Sequence, residues 1–132
     1  FSQAAQREIN TMISAVREVL WNAREGFIND NMEMAACVEP LEEVIDDLRD
    51  AIKLHHIVRL QNNECTMEMG FILCDLLTNC ERVADHCSNI GVCLLETSKG
   101  SYETHEYLSH VKFDGENDFA EKFDKFKAKY LM

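Results

Sequence analysis

Residues 75–91 read DLLTNCERVADHCSNIG, and this stretch decides the fold. Leu76, Cys80, Val83, Cys87 and Ile90 recur at three- and four-residue steps, the spacing of one helix face. Leu73 before them and Leu94 after them extend the stripe. A helix is therefore expected over about 65–98, roughly 50 Å long at 1.5 Å per residue. Lys99 in its last turn and Gly100 just beyond supply a C-terminal stop.

Two more long helices precede it. Over about 2–26, Ile9, Met12, Ile13, Val16, Leu20, Ala23 and Phe27 repeat with a 3.6-residue period, and Gly26 with Asn29, Asp30 and Asn31 offers turn chemistry. Over about 32–61, Leu41, Val44, Ile45, Leu48, Ala51, Ile52, His55 and Val58 form one face, closed by Asn62 and Asn63. Pro40 lies inside this second stretch and predicts a kink or a restart there. Beyond Gly100 come a short segment at 102–110, a turn at Asp114-Gly115 and a last helix from about 118. That helix carries the stripe Phe119, Phe123, Phe126 and Tyr130, with Asp118 and Glu121 spaced as a capping box. Nothing reads as a strand. The expected fold is all-α: an antiparallel three-helix bundle over 1–100, with a helical tail over 101–132 packed on it.

The chain has 132 residues, enough for one domain, and a net charge of −11. Residues 118–132 hold four lysines against three acids, so the first 117 residues carry −12. Such a surface argues against nucleic acid and against direct binding of anionic lipid, both of which need basic patches. No apolar run reaches the roughly 20 residues that span a bilayer, and FSQAAQREIN at the start is not a secretory signal. The first residue is Phe1 rather than methionine, which leads to the expectation of a piece whose upstream sequence holds a membrane region. Cys37, Cys65, Cys74, Cys80, Cys87 and Cys93 include no C-x-x-C pair and read as small apolar side chains in a reducing compartment.

Chemistry concentrates in two acidic pairs of equal spacing, Glu42 with Asp46 and Glu81 with Asp85. Residues four apart on a helix share a face, with Cβ atoms about 5–6 Å apart. Two such pairs on facing helices bring four carboxylates together, where they must spread, take up protons or recruit a cation. Oxygen donors of this kind suit Mg, Mn, Fe or Zn. At this acidity about four such pairs arise by chance, so a solvated acidic face fits the spacing as well. Enzyme motifs are missing: no Glu-x-x-His pair, no phosphate-cradling glycine loop and no nucleophile elbow. His86 beside Cys87 is no nucleophile pair, since adjacent helical residues diverge. His55 is expected at the apolar boundary, His56 outward, His105 and His110 on the surface, and Trp21 in packing or at a rim.

The run 75–91, with its E-x-x-x-D motif followed by His86 and by Asn89-Ile90, resembles the hallmark helix of PhoU domains. EPLEEVID at 39–46 is similar to that family's preceding helix. GSYETHEYLSHV and FAEKFDKFKAKYLM are similar to the ending of sodium/phosphate cotransporter-family proteins that carry a PhoU domain after their membrane region. The resemblance spans nearly the whole chain, most specifically 39–131. It implies a three-helix bundle, often found in tandem, and in some members a multinuclear metal cluster on paired acidic motifs. Carried over by position, the implied ligands are Glu42, Asp46, Glu81 and Asp85, with His86 and Asn89 behind them. The implied role is regulatory or accessory: a domain on the cytosolic side of a sodium-dependent phosphate transporter-like protein, sensing phosphate through a bound Fe, Zn, Mn or Mg. Its implied partner is the membrane region of its own parent, with a homodimer to complete the metal cluster. A stand-alone phosphate-signalling regulator, acting as a soluble dimer, and a purely structural helical module are the alternatives.

Overall fold

The computed structural model describes residues 1–98 and 116–131, with no strand among them. Helix α1 spans Gln3–Asn29, α2 Met32–Gln61, α3 Met67–Ser98 and α4 Glu116–Tyr130. Lys99, Gly100, the 102–110 segment with His105 and His110, and the Asp114-Gly115 turn lie outside the described residues.

Each boundary has a local cause. Ser2 caps α1, its hydroxyl accepting from the Ala5 N–H at 3.1 Å. Asp30 ends that helix in the left-handed region at φ 50, and Asn31 at once caps α2 through the Met34 N–H. At the far end of α2, Asn63 is left-handed at φ 59. There the Asn63 N–H donates to the Leu60 carbonyl and the Glu64 N–H to the Arg59 carbonyl, a Schellman closure. Thr66 then caps α3 through the Met69 N–H.

Two expectations about breaks are corrected. Pro40 removes the N–H that the Ala36 carbonyl would have bonded, yet α2 does not restart there: the helix runs on through it and buries its ring. Gly26 is no turn residue either, for α1 continues to Asn29. A Cβ at position 26 would lie 3.1 Å from the Ala35 Cβ and 3.2 Å from Leu94 Cδ1, so the glycine serves close helix approach.

These contacts also fix the direction of each helix. Gly26 near the end of α1 meets Ala35 at the start of α2, and Val38 of α2 meets Gly91 near the end of α3. Glu8 near the start of α1 pairs with Arg59 near the end of α2. The three helices therefore run up, down and up.

The buried face steps by fours and threes. On α3 it is Gly70, Leu73, Leu77, Cys80, Ala84, Cys87 and Gly91, and on α2 Val38, Leu41, Ile45, Leu48, Ile52 and Arg59. A 3.5-residue seam of this kind is the signature of supercoiled packing. Burying each large aliphatic side chain contributes about 1.5–3 kcal/mol. Leu20, Phe27 and Ile90, expected in the stripe, lie outside this seam at 46%, 68% and 44% exposure.

Helix α4 packs chiefly on α2 and touches α1. It starts two residues before Asp118, which pairs with Lys122 at 3.1 Å rather than capping the helix. Phe126 and Tyr130 are buried, and Phe123 packs against the same core. No described helix is long and apolar enough to cross a membrane.

Candidate functional site

Near the middle of the bundle, α2 presents Glu42, Asp46 and Arg49 to α3, which carries Glu81 and Asp85. The 3.5-residue seam causes this, because it keeps one face of each helix inward and the flanking acids at its edge. Glu42 is half-buried and hydrogen-bonds with Asp46. Asp85 adds repulsion on both Glu42 and Asp46, and Glu81 adds it on Asp46. All four predicted residues thus share one electrostatic neighbourhood.

The protons and one arginine absorb the strain. Burial, reinforced by the Asp46 charge, its hydrogen bond and Asp85, pushes the Glu42 carboxyl up to about 8. Burial also raises Asp46, against the lowering pull of the Glu42 hydrogen bond and of Arg49. Arg49 is the residue that the spacing argument passed over. Its Nη1 pairs with Glu81 Oε1 across the helix interface and lies 3.6 Å from Asp46 Oδ1, while its Nε donates to Asp50 Oδ1 at 3.0 Å. The Glu81 bond holds the guanidinium still more firmly protonated than usual. A signal was present in the sequence: Arg49 follows Asp46 by three residues, on the same helix face.

The resemblance implies a metal on these four residues. Among the described residues, no three His, Cys, Asp or Glu side chains converge closely enough to hold one. The positive charge against Glu81 and Asp46 is the guanidinium itself. One carboxylate oxygen, Asp46 Oδ1, is buried without a hydrogen bond, with the Arg49 guanidinium 3.6 Å away. His86 is exposed, and Asn89 lines a groove shared with α1.

That groove is apolar and about 770 Å³ in volume, bordered by Leu20, Phe27, Ile28, Ile90 and Leu94. Trp21 borders a separate cavity with Glu18, Cys37 and Phe126, half exposed, with the Arg24 guanidinium 5.4 Å from its ring. All six cysteines are free. Cys80 and Cys87 are buried as expected, and burial pushes their thiols up, whereas Cys74 and Cys93 are exposed. His55 is exposed rather than at the apolar boundary, and it is hydrogen-bonded to Glu8 at 2.8 Å. His56 does not point freely outward. It packs on Gly70 and contacts Cys65.

Comparison with known proteins completes the picture. A family model described as the PhoU domain matches residues 9–93. The phosphate-specific transport system accessory protein PhoU homolog 1 of Thermotoga maritima is 23% identical over 99 residues. The match covers 74% of this chain and 43% of that protein, so the chain spans less than half of its relative. No solved structure gives a significant match.

Proposed function

This chain belongs to the PhoU domain family, and on that premise we propose that it is a regulatory domain of a phosphate transport system rather than an enzyme. The observation that carries the reading is the family match over 9–93, which takes in most of the three long helices. The relative's description as a transport accessory protein supports the same role. The acidic cluster is partly offset by its own arginine and a retained proton, which supports a structural or interaction role. An apolar groove between α1 and α3, open among the described residues, supports contact with another protein.

In the reading favoured here, the domain sits on the cytosolic side of a sodium-coupled phosphate transporter-like membrane protein and adjusts its uptake. The ending GSYETHEYLSHV and FAEKFDKFKAKYLM supports that attachment. Sensing phosphate through a metal on Glu42, Asp46, Glu81 and Asp85 requires Arg49 to leave first. The second reading is a stand-alone phosphate-signalling regulator acting as a soluble dimer, favoured by the nature of the Thermotoga relative.

Uptake of radiolabelled phosphate by the parent transporter, with and without this domain, tests the first reading. Cells grown in high and low phosphate should lose the difference between the two conditions when the domain is deleted, while uptake itself persists. Regulation that survives the deletion would sink it. A soluble dimer, with no membrane-embedded parent, would favour the second.

A further inference from the structure

At the handover from α2 to α3, Cys65 Sγ lies 3.5 Å from His56 Nδ1 and 3.8 Å from the His56 carbonyl oxygen. The Schellman closure at Asn63 produces this meeting, because it turns the chain back over the last turns of α2. On its other side the imidazole rests on Gly70. A Cβ there would lie 2.5 Å from His56 Nε2, so glycine keeps the ring in place beside the sulfur.

The pair borders a cavity of about 220 Å³, lined also by Ser2, Ala5, Arg59 and Met69. Arg59 is only 7% exposed. Its two terminal nitrogens donate to the Glu8 carboxylate at 3.2 and 3.1 Å, while its Nε is buried with no partner. The Arg59 side chain, already paired with Glu8, therefore borders the same small space as the thiol. Cys65 also stands immediately before Thr66, the cap of a 32-residue helix whose first N–H groups carry partial positive charge.

We propose that Cys65 is a reactive, modifiable thiol, with His56 as its proton acceptor and peroxides as the class of oxidant it answers to. His56 Nδ1 takes the thiol proton, and the sulfur electron pair attacks one oxygen of hydrogen peroxide. The O–O bond breaks, and the departing hydroxide recovers the proton from the imidazolium and leaves as water. Sulfur is oxidised to a sulfenic acid, and the peroxide is reduced. The start of α3 and the nearby Arg59 guanidinium favour negative charge in this corner during the attack. The cavity beside the sulfur has room for the added oxygen. The chemistry is independent of phosphate and of the acidic cluster.

Cys74 and Cys93 provide the internal control, being more exposed than Cys65. If accessibility alone governs reactivity, they react first. Limiting iodoacetamide followed by peptide mass spectrometry on the intact chain should instead label Cys65 about fivefold faster than either. Dilute hydrogen peroxide with dimedone should trap the sulfenic acid first at Cys65. His56→Gln should bring the Cys65 rate down to that of Cys74, whose own rate stays unchanged. Should His56→Gln fail to fold, Gly70→Ala displaces the ring without deleting it and should give the same loss. Cys74 or Cys93 reacting as fast as Cys65 overturns the proposal, as does a Cys65 rate that ignores both substitutions.

Discussion

Arg49 of α2 reaches across the helix interface to the carboxylate of Glu81 on α3, inside a group of acids that would otherwise repel one another. The contact ties the helices at mid-length and supplies a cation from the chain itself.

Replacing Arg49 by Gln should therefore cost about 1 kcal/mol, the scale of a partly exposed ion pair. For a domain of this size that is a fall of about 4 °C in Tm, readable by differential scanning calorimetry. The same instrument tests for metal. With Arg49 in place, millimolar Mn or Zn should leave the Tm of the natural protein unchanged, because a ligand specific to the folded state must raise it. A rise that vanishes in Glu81→Gln plus Asp85→Asn would show that the arginine yields its place to a cation.

Glu42 gives a prediction in pH. Its folded-state value, about 8, lies above the ordinary carboxylate value of 4.5, so folding favours the protonated acid. Its contribution is then fully present below about pH 4.5 and is lost as pH rises through 8. Asp46, raised in the same direction, adds to the trend. Thermal midpoints between pH 5 and 9 should fall for the natural protein and fall less for Glu42→Gln, which keeps the shape and a hydrogen-bonding group without the charge. Parallel curves for the two proteins would contradict the assignment.

Gly91 marks a close approach of α3 to the backbone of α2. A Cβ there would meet the Val38 Cβ at 3.1 Å and the Ala35 carbonyl oxygen at 3.3 Å. Ala gains about 1 kcal/mol of helix propensity over Gly, but crowding a packed interface costs about 1–3 kcal/mol. Backbone at position 35 gives way poorly, so crowding wins. Gly91→Ala should lower stability to chemical denaturant by about 1 kcal/mol, and Gly91→Leu by considerably more.

The tail helix depends on its aromatic face. Fifteen residues are too few for a stable isolated helix, and Phe126 is buried against the core. Phe126→Ala should cost about 3 kcal/mol of its docking. Amide hydrogen exchange in Glu116–Tyr130 should speed up before that of α2 or α3 changes.

The three long helices were legible because large aliphatic residues recur at helical steps, as in Leu41, Ile45, Leu48 and Ile52. Which face they bury was read less well, for a physical reason. A search for size selects Leu20, Phe27 and Ile90, whereas the true seam passes through Gly26, Ala84 and Gly91, where backbones approach too closely for bulk. The acidic pairs were also legible, since spacing of four on a helix guarantees a shared face. Their charge balance was not, because it turns on which way the long Arg49 side chain swings. The meeting of Cys65 with His56 was hidden by a loop closure that no periodicity encodes.

Glu18 of α1 accepts a hydrogen bond from the Tyr130 hydroxyl and pairs with Lys129 at 2.9 Å. One acid on the first helix therefore fastens the final turn of the last. A purification handle or reporter joined after residue 131 thus starts beside the middle of α1. A short stiff junction would pry Tyr130 from its seat, so fusions at that end should carry a flexible spacer and keep residues 129–131 untouched.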